Sequence, residues 1–289
     1  MTSALALLLL ALTAPPAAAR DRVELLGPLR VRGVQPAMSG PFMVKSIEFD
    51  QTVLLRSLTA RLLGADGKPD ADQSRMCHLT LADADAIHVG PMAPQLVTLD
   101  LGTRRMEMPA GYGIRLEARR RYLLNAMLLS DDPAADRTQT FEVTFDIVDE
   151  GAPGAPRPLI FWPTSVRPED TDAEPGRSKH YDWMVPPGRR RFVRTLVMPS
   201  TMTVHALTAH LHRYASDLSI VETGTNKVLW AAKVERAENG VLIRSPSWSG
   251  AEPLVFHGGR RYTLSVGYDN TGREPAPAMG AFYFFSDPP

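Results

Sequence analysis

Cysteine is almost missing from this chain: among 289 residues only Cys77 is one, so no internal disulfide can brace the fold and stability must come from burial or from a bound ion. Charge of one sign is missing too, because 32 Lys and Arg stand against 32 Asp and Glu. That balance removes the field that would draw the molecule to a polyanion, and no basic run interleaved with aromatics supplies one locally, which argues against nucleic acid as a partner. Beyond the first residues no apolar run reaches the roughly 18 to 20 needed to cross a bilayer, so no membrane span is expected. There is no Gly-rich phosphate loop, no HExxH, no CxxC and no GxSxG in a strand-turn-helix setting. Asp and Glu are scattered and read as solvated surface, with no locatable pair for glycoside hydrolysis. No stretch carries a long, well-capped helical period.

What is present begins with a processing segment. Ala4 to Leu12 is continuously apolar and is followed by Pro15-Pro16 and Ala17-Ala18-Ala19-Arg20, a small-residue pattern suited to signal peptidase. Residues 1–19 therefore read as a secretory signal, although no Lys or Arg precedes the apolar run; the other reading is an apolar N-terminal helix. Export makes the mature chain a soluble periplasmic or secreted protein. Cys77 is then a lone thiol in an oxidising compartment, where such a group is buried, metal-bound or reactive.

Period-2 patterning dominates the remainder. Phe141, Val143, Phe145 and Ile147 alternate with Glu142, Thr144 and Asp146, and Tyr262, Leu264, Val266 and Tyr268 alternate with Thr263, Ser265 and Gly267. Both are half-buried strands. Less regular strands are expected at Phe42 to Phe49, Val53 to Leu63, Leu96 to Leu101, Arg121 to Leu129, Thr203 to His212, Leu218 to Glu222, Lys227 to Ala232 and Gly280 to Phe285. Turn dipeptides such as Asp66-Gly67, Thr223-Gly224 and Asn239-Gly240 lie between several of them. The spacing predicts an all-β protein of two tandem antiparallel β-sandwich, jelly-roll-like domains over 20–150 and 181–289. The Pro/Gly/Ala run from Gly151 to Pro156 and the charged stretch from Arg167 to Lys179 mark 151–180 as a linker.

Seven histidines carry the most chemical information: His78, His88, His180, His205, His210, His212 and His257. In His210-Leu211-His212 the two imidazoles project from one strand face, which is half of a metal site. The bare pattern also describes two polar residues on a solvated face. His205, five residues before His210, falls on the opposite face unless a bulge intervenes, and reads as a residue supporting the site or packed in the core. His180 and His257 read as loop residues.

The order of Val185-Pro186-Pro187-Gly188, His210-Leu211-His212, Tyr268-Asp269-Asn270 and Met279 resembles the C-terminal domain of the copper type II, ascorbate-dependent monooxygenases, the family of the peptidylglycine and dopamine hydroxylases. The resemblance runs from Tyr181 almost to the C-terminus. It implies copper held by His210, His212 and Met279, O2 activation at Cu(I), a small-molecule or peptide substrate hydroxylated at C–H, and a reductant such as ascorbate. A thioether favours Cu(I) while imidazole suits both oxidation states. In the first half, Met76-Cys77-His78-Leu79 looks like the position where family members carry adjacent histidines. Asn125-Ala126-Met127-Leu128-Leu129-Ser130 looks like the end of the stretch that leads to a further one. Cys77 replaces an expected imidazole there and the latter segment has none, so the first copper site is degenerate; Cys77, His78 and Met127 read either as a soft Cu(I) set or as a buried Cys beside a hydrogen-bonded His, with His88 joining only if its segment folds back. Two other readings stand beside catalysis: a copper-binding or copper-handling protein using the same residues, and a plain β-sandwich binding module.

Overall fold

The computed structural model describes residues 19–35, 42–86, 95–166 and 183–289. The signal segment up to residue 18, His88, His180 and the start of the family-like stretch at Tyr181 lie outside the described residues. Among those described, the chain is built from strands, with one 3-10 turn at Gln73–Arg75. In the first half these are β1 (Arg20–Arg32), β2 (Phe42–Ile47), β3 (Val53–Leu63), β4 (Met76–Asp83), β5 (Gln95–Asp100), β6 (Arg105–Glu107), β7 (Tyr112–Leu116), β8 (Tyr122–Leu128) and β9 (Asp136–Asp149). β10 (Arg157–Val166) leads into β11 (Trp183–Val185), β12 (Gly188–Val197), β13 (Met202–Leu211), β14 (Ala215–Glu222) and β15 (Lys227–Lys233). Then follow β16 (Glu235–Arg236), β17 (Leu242–Arg244), β18 (Ser247–Phe256), β19 (Arg261–Asn270), β20 (Ala276–Ala278) and β21 (Gly280–Ser286).

Two β-sandwiches result. In the first, β1-β9-β3-β7 faces the four-stranded sheet β2-β8-β4-β5; in the second, β10-β21-β13-β18 faces β12-β19-β14-β15. The alternation read from the sequence is the alternation of burial: Phe141, Val143, Phe145 and Ile147 are inside, as are Tyr262, Leu264, Val266 and Tyr268. Side chains of opposite parity point outward because successive residues of a strand project to opposite faces.

The two sandwiches are not strung on a flexible tether. Among the described residues of the stretch expected as a linker, 151–156 forms a turn-rich connection and Arg157–Val166 is β10, while 167–180 lies outside them. Its first three residues pair in parallel with β7 and its last seven pair antiparallel with β21. One nine-stranded sheet therefore runs through both halves. Pro158 and Pro163 conceal this strand in the sequence, since proline lacks the ladder donor. They are tolerated because at each point β10 pairs on one side only, which makes it locally an edge. The cores interlock as well: Ala206, Ala281, Tyr283 and Phe285 of the second half pack in the first core, and Leu101 of the first half packs in the second.

A shared strand and interlocked cores make the halves a single cooperative unit. Truncating Phe145 to Ala in the first core, or Phe284 to Ala in the second, is expected to cost about 3–5 kcal/mol each. Calorimetry should show either change lowering the same, single transition rather than splitting it into two.

Candidate metal site at the junction of the sandwiches

β13 carries His210 to its end, with His212 just beyond it. His210 lies opposite Ala281 and Leu211 opposite Gly280, so both imidazoles share one sheet face and are buried there, at 4% and 3% exposure. Their Nε2 atoms face each other 3.2 Å apart, with ring centroids at 5.1 Å and planes at 76°. Two lone pairs facing at that distance repel, so the geometry suits either a hydrogen bond between the rings or a cation bound by both. The separation is what two nitrogens bound at about 2.0–2.1 Å to one ion would have near a tetrahedral angle.

Met279 lies in the one-residue break between β20 and β21, next to Gly280, which pairs with Leu211. The backbones are tied there by one side chain. Tyr268, fully buried on β19, donates its hydroxyl to the Met279 carbonyl and accepts from the Met279 N–H at 3.1 Å and the His212 N–H at 3.4 Å. Burial drives its phenol well above the ordinary range, so it stays a neutral donor. Gly280 permits the approach: a Cβ there would stand 2.7 Å from Cγ2 of Val266 and 3.3 Å from the Trp183 ring.

The first half contributes a row of side chains to the same place. Across β8, β4 and β5 the register aligns Met127, His78 and Asp100, with Thr80 and Thr98 following on the same face. A β-bulge at Cys77 breaks the β4–β8 register. Plain alternation would send Cys77 and His78 to opposite faces; with the bulge, Cys77 lines the cleft that exposes His210 and His212, while the His78 ring stands edge-on to His210 at 6.4 Å between centroids. Asp100, 1% exposed, takes a short hydrogen bond from Nδ1 of His210.

The expected residues therefore do not form two separate clusters. His78, assigned to a first site apart from the second, is drawn against His210, and Met127 is its cross-strand neighbour. Met279 is buried and does not line the cleft. His205 sits at a bulge in β13 and leads away from the pair: it stacks on Tyr112 at 4.3 Å and meets Asp287 at 3.1 Å. His257 is in an exposed turn after β18. Asp100 and the role of Tyr268 were not read from the sequence. A carboxylate ending the apolar run Gln95-Leu-Val-Thr-Leu-Asp100, in step with Thr98, was the available signal.

The electrostatics favour neutral rings at His212 and His78, the ligating form of imidazole. Burial lowers His212 to about 3, with His210 and His78 adding to the shift, and lowers His78 to about 4. Burial pushes the Asp100 carboxyl above its ordinary value while His210 pulls it back. His212 Nδ1 has no hydrogen bond of good geometry, although the Pro277 carbonyl acts on the ring as an acceptor. The arrangement is a two-nitrogen pair: among the described residues no group of three or more His, Cys, Asp or Glu side chains is disposed to hold a metal ion. A cleft of about 940 Å³ opens over it between the halves, bordered by Arg75, Ser130, Arg213, Tyr214 and Arg273.

No family model and no curated protein matches the chain. Among solved structures it is similar to the major capsid protein P2 of bacteriophage PM2, at 9% identity over 91% of this chain and 98% of that one, with a TM-score of 0.40. It is also similar to PNGF-II, at 9% identity over 93% of this chain and 66% of that one, TM-score 0.41. PBCV-1 VP54, fitted into the virophage Sputnik, gives 8% identity over 94% and 95%, TM-score 0.34. Among the described residues no helix is long and apolar enough to cross a membrane.

Replacing Tyr268 by Phe strands the His212 and Met279 backbone groups in a buried place. The expected loss is about 1–3 kcal/mol of stability, read from the urea midpoint.

Proposed function

We propose that this chain is an exported copper-dependent oxidoreductase of the monooxygenase type, holding copper with His210 and His212 and drawing on Met279 as a soft donor. The observation that carries the reading is the pair of buried imidazoles, that of His212 held neutral by burial, whose Nε2 atoms stand 3.2 Å apart on one strand face. The donor set fits copper in both oxidation states, imidazole serving either and thioether favouring the reduced ion. When bound, copper would supply one-electron chemistry toward O2 and a substrate C–H bond. The protein's own part is to hold the two nitrogens in place, to fix the His210 tautomer through Asp100 and to keep the strand ends in register through Tyr268. The cleft admits a small-molecule or peptide substrate and a reductant such as ascorbate, and its guanidinium groups and the Tyr214 ring suit a partly anionic or planar guest. The apolar stretch Ala4 to Leu12 and its Ala17-Ala18-Ala19 end support export to the periplasm or the exterior.

A second reading, copper binding without turnover, is favoured by one observation: His78 lies against His210 instead of nucleating a separate electron-delivering centre. Both readings share a first test. The purified chain should bind one copper ion by elemental analysis and chelator competition, and a His210→Ala/His212→Ala variant should bind none. Reductant-dependent O2 consumption then separates turnover from binding alone. Absence of tight copper in the unaltered chain would overturn both.

A further inference from the structure

Asp100 is enclosed by protein, and among the described residues no Lys or Arg pairs with it. A buried carboxylate without a counter-charge is costly, and breaking such a group's only pairing is costlier still. Among the described residues its one side-chain partner is Nδ1 of His210, so an offsetting positive charge belongs on the far side of that ring, where Nε2 faces Nε2 of His212. We infer that Asp100 is a positioning residue that both fixes the His210 tautomer and biases the site toward the more highly charged, oxidised copper ion. This rests on the copper reading of the site and adds to it a residue from the other sandwich.

The placement of Asp100 is built rather than incidental. The chain turns tightly after β5, Thr103 N–H bonding the Asp100 carbonyl at 2.7 Å. Ser245 of the second half donates to the Leu101 carbonyl at 2.7 Å, and the Leu101 side chain packs in the second core. Gly102, with φ +81, lies so close to the Arg244–Ser245 backbone that a Cβ would meet Arg244 Cα at 3.0 Å. Three successive residues thus dock the end of β5 onto the second sandwich with the carboxylate aimed at His210. An imidazole that donates Nδ1–H to a carboxylate leaves Nε2 as the ligating lone pair, more basic and more anionic in character. A negative charge held behind one ligand stabilises a doubly charged ion more than a singly charged one.

The test is a pair of chelator competitions, one for Cu(I) and one for Cu(II), on the full chain and on Asp100→Asn. The variant keeps the side-chain shape and removes the charge. Expected is a fall of about 10- to 100-fold in Cu(II) affinity with a clearly smaller fall for Cu(I), and hence a reduction potential shifted positive. Equal losses for both ions would reveal a merely structural role and overturn the inference, as would no loss of either. Nitrogen-15 NMR of the unaltered, metal-free chain provides a measurement independent of the variant's folding: His210 should carry its proton on Nδ1, and a proton on Nε2 would overturn the assignment. If the unaltered chain binds no copper, the functional reading itself falls; if it binds copper and Asp100→Asn behaves like it, only the role of Asp100 does.

Discussion

Everything in this molecule depends on β10 belonging to two sandwiches at once. A strand that pairs with β7 at its start and β21 at its end removes the freedom of the halves to move as separate bodies. The imidazoles come from one half, while the carboxylate and a third imidazole come from the other. A hydrogen bond from His210 to Asp100 tolerates errors of only a few tenths of an ångström. Two domains on a loose tether could not hold it; one continuous sheet with interlocked cores can.

The junction also explains why the site is so deeply buried yet reachable. Polar groups at a sandwich core would ordinarily be unsatisfied, but here they fall on the outer face of the β2-β8-β4-β5 sheet, the face that meets the second half. That face carries His78, Thr80, Thr98 and Asp100, whereas the opposite face, with Leu79, Leu81, Val97 and Leu99, fills the first core. The two periodicities of one sheet thus separate packing from chemistry. The bulge at Cys77 is the local exception, and it lies where the sheet edge meets the cleft.

Much of this was legible in advance where one face is buried and the other wet. β3 runs over the span that its apolar pattern marked, and β9 and β19 show the burial their alternation implies. Several strands escaped, β1, β4, β7 and β18 among them, and in two others another demand overrode alternation. β10 contains two prolines, and β12, Gly188–Val197, is an edge strand written almost entirely in exposed side chains. The histidine pair was readable because i and i+2 on a strand must share a face. Asp100 was not, because its partner is 110 residues away in sequence and only the crossing of β5 onto the second half brings them together. For the same reason the residues around Cys77 and those around His210 looked like two sites: nothing local in a sequence reports that two sheets meet edge to face.

β12 has one more consequence. It ends its sheet with a row of unpaired backbone donors and acceptors, a ready template for another copy of the chain. Arg189, Arg190, Arg191 and Arg194 all stand exposed along it. Asp269 and Asp217 offset Arg189 and Arg191, so any second molecule offering the same edge would bring Arg190 and Arg194 against their own kind. The cost of that encounter keeps the sheet from growing from molecule to molecule, so the arginines that hide the strand from pattern reading also protect the folded protein from its own aggregation.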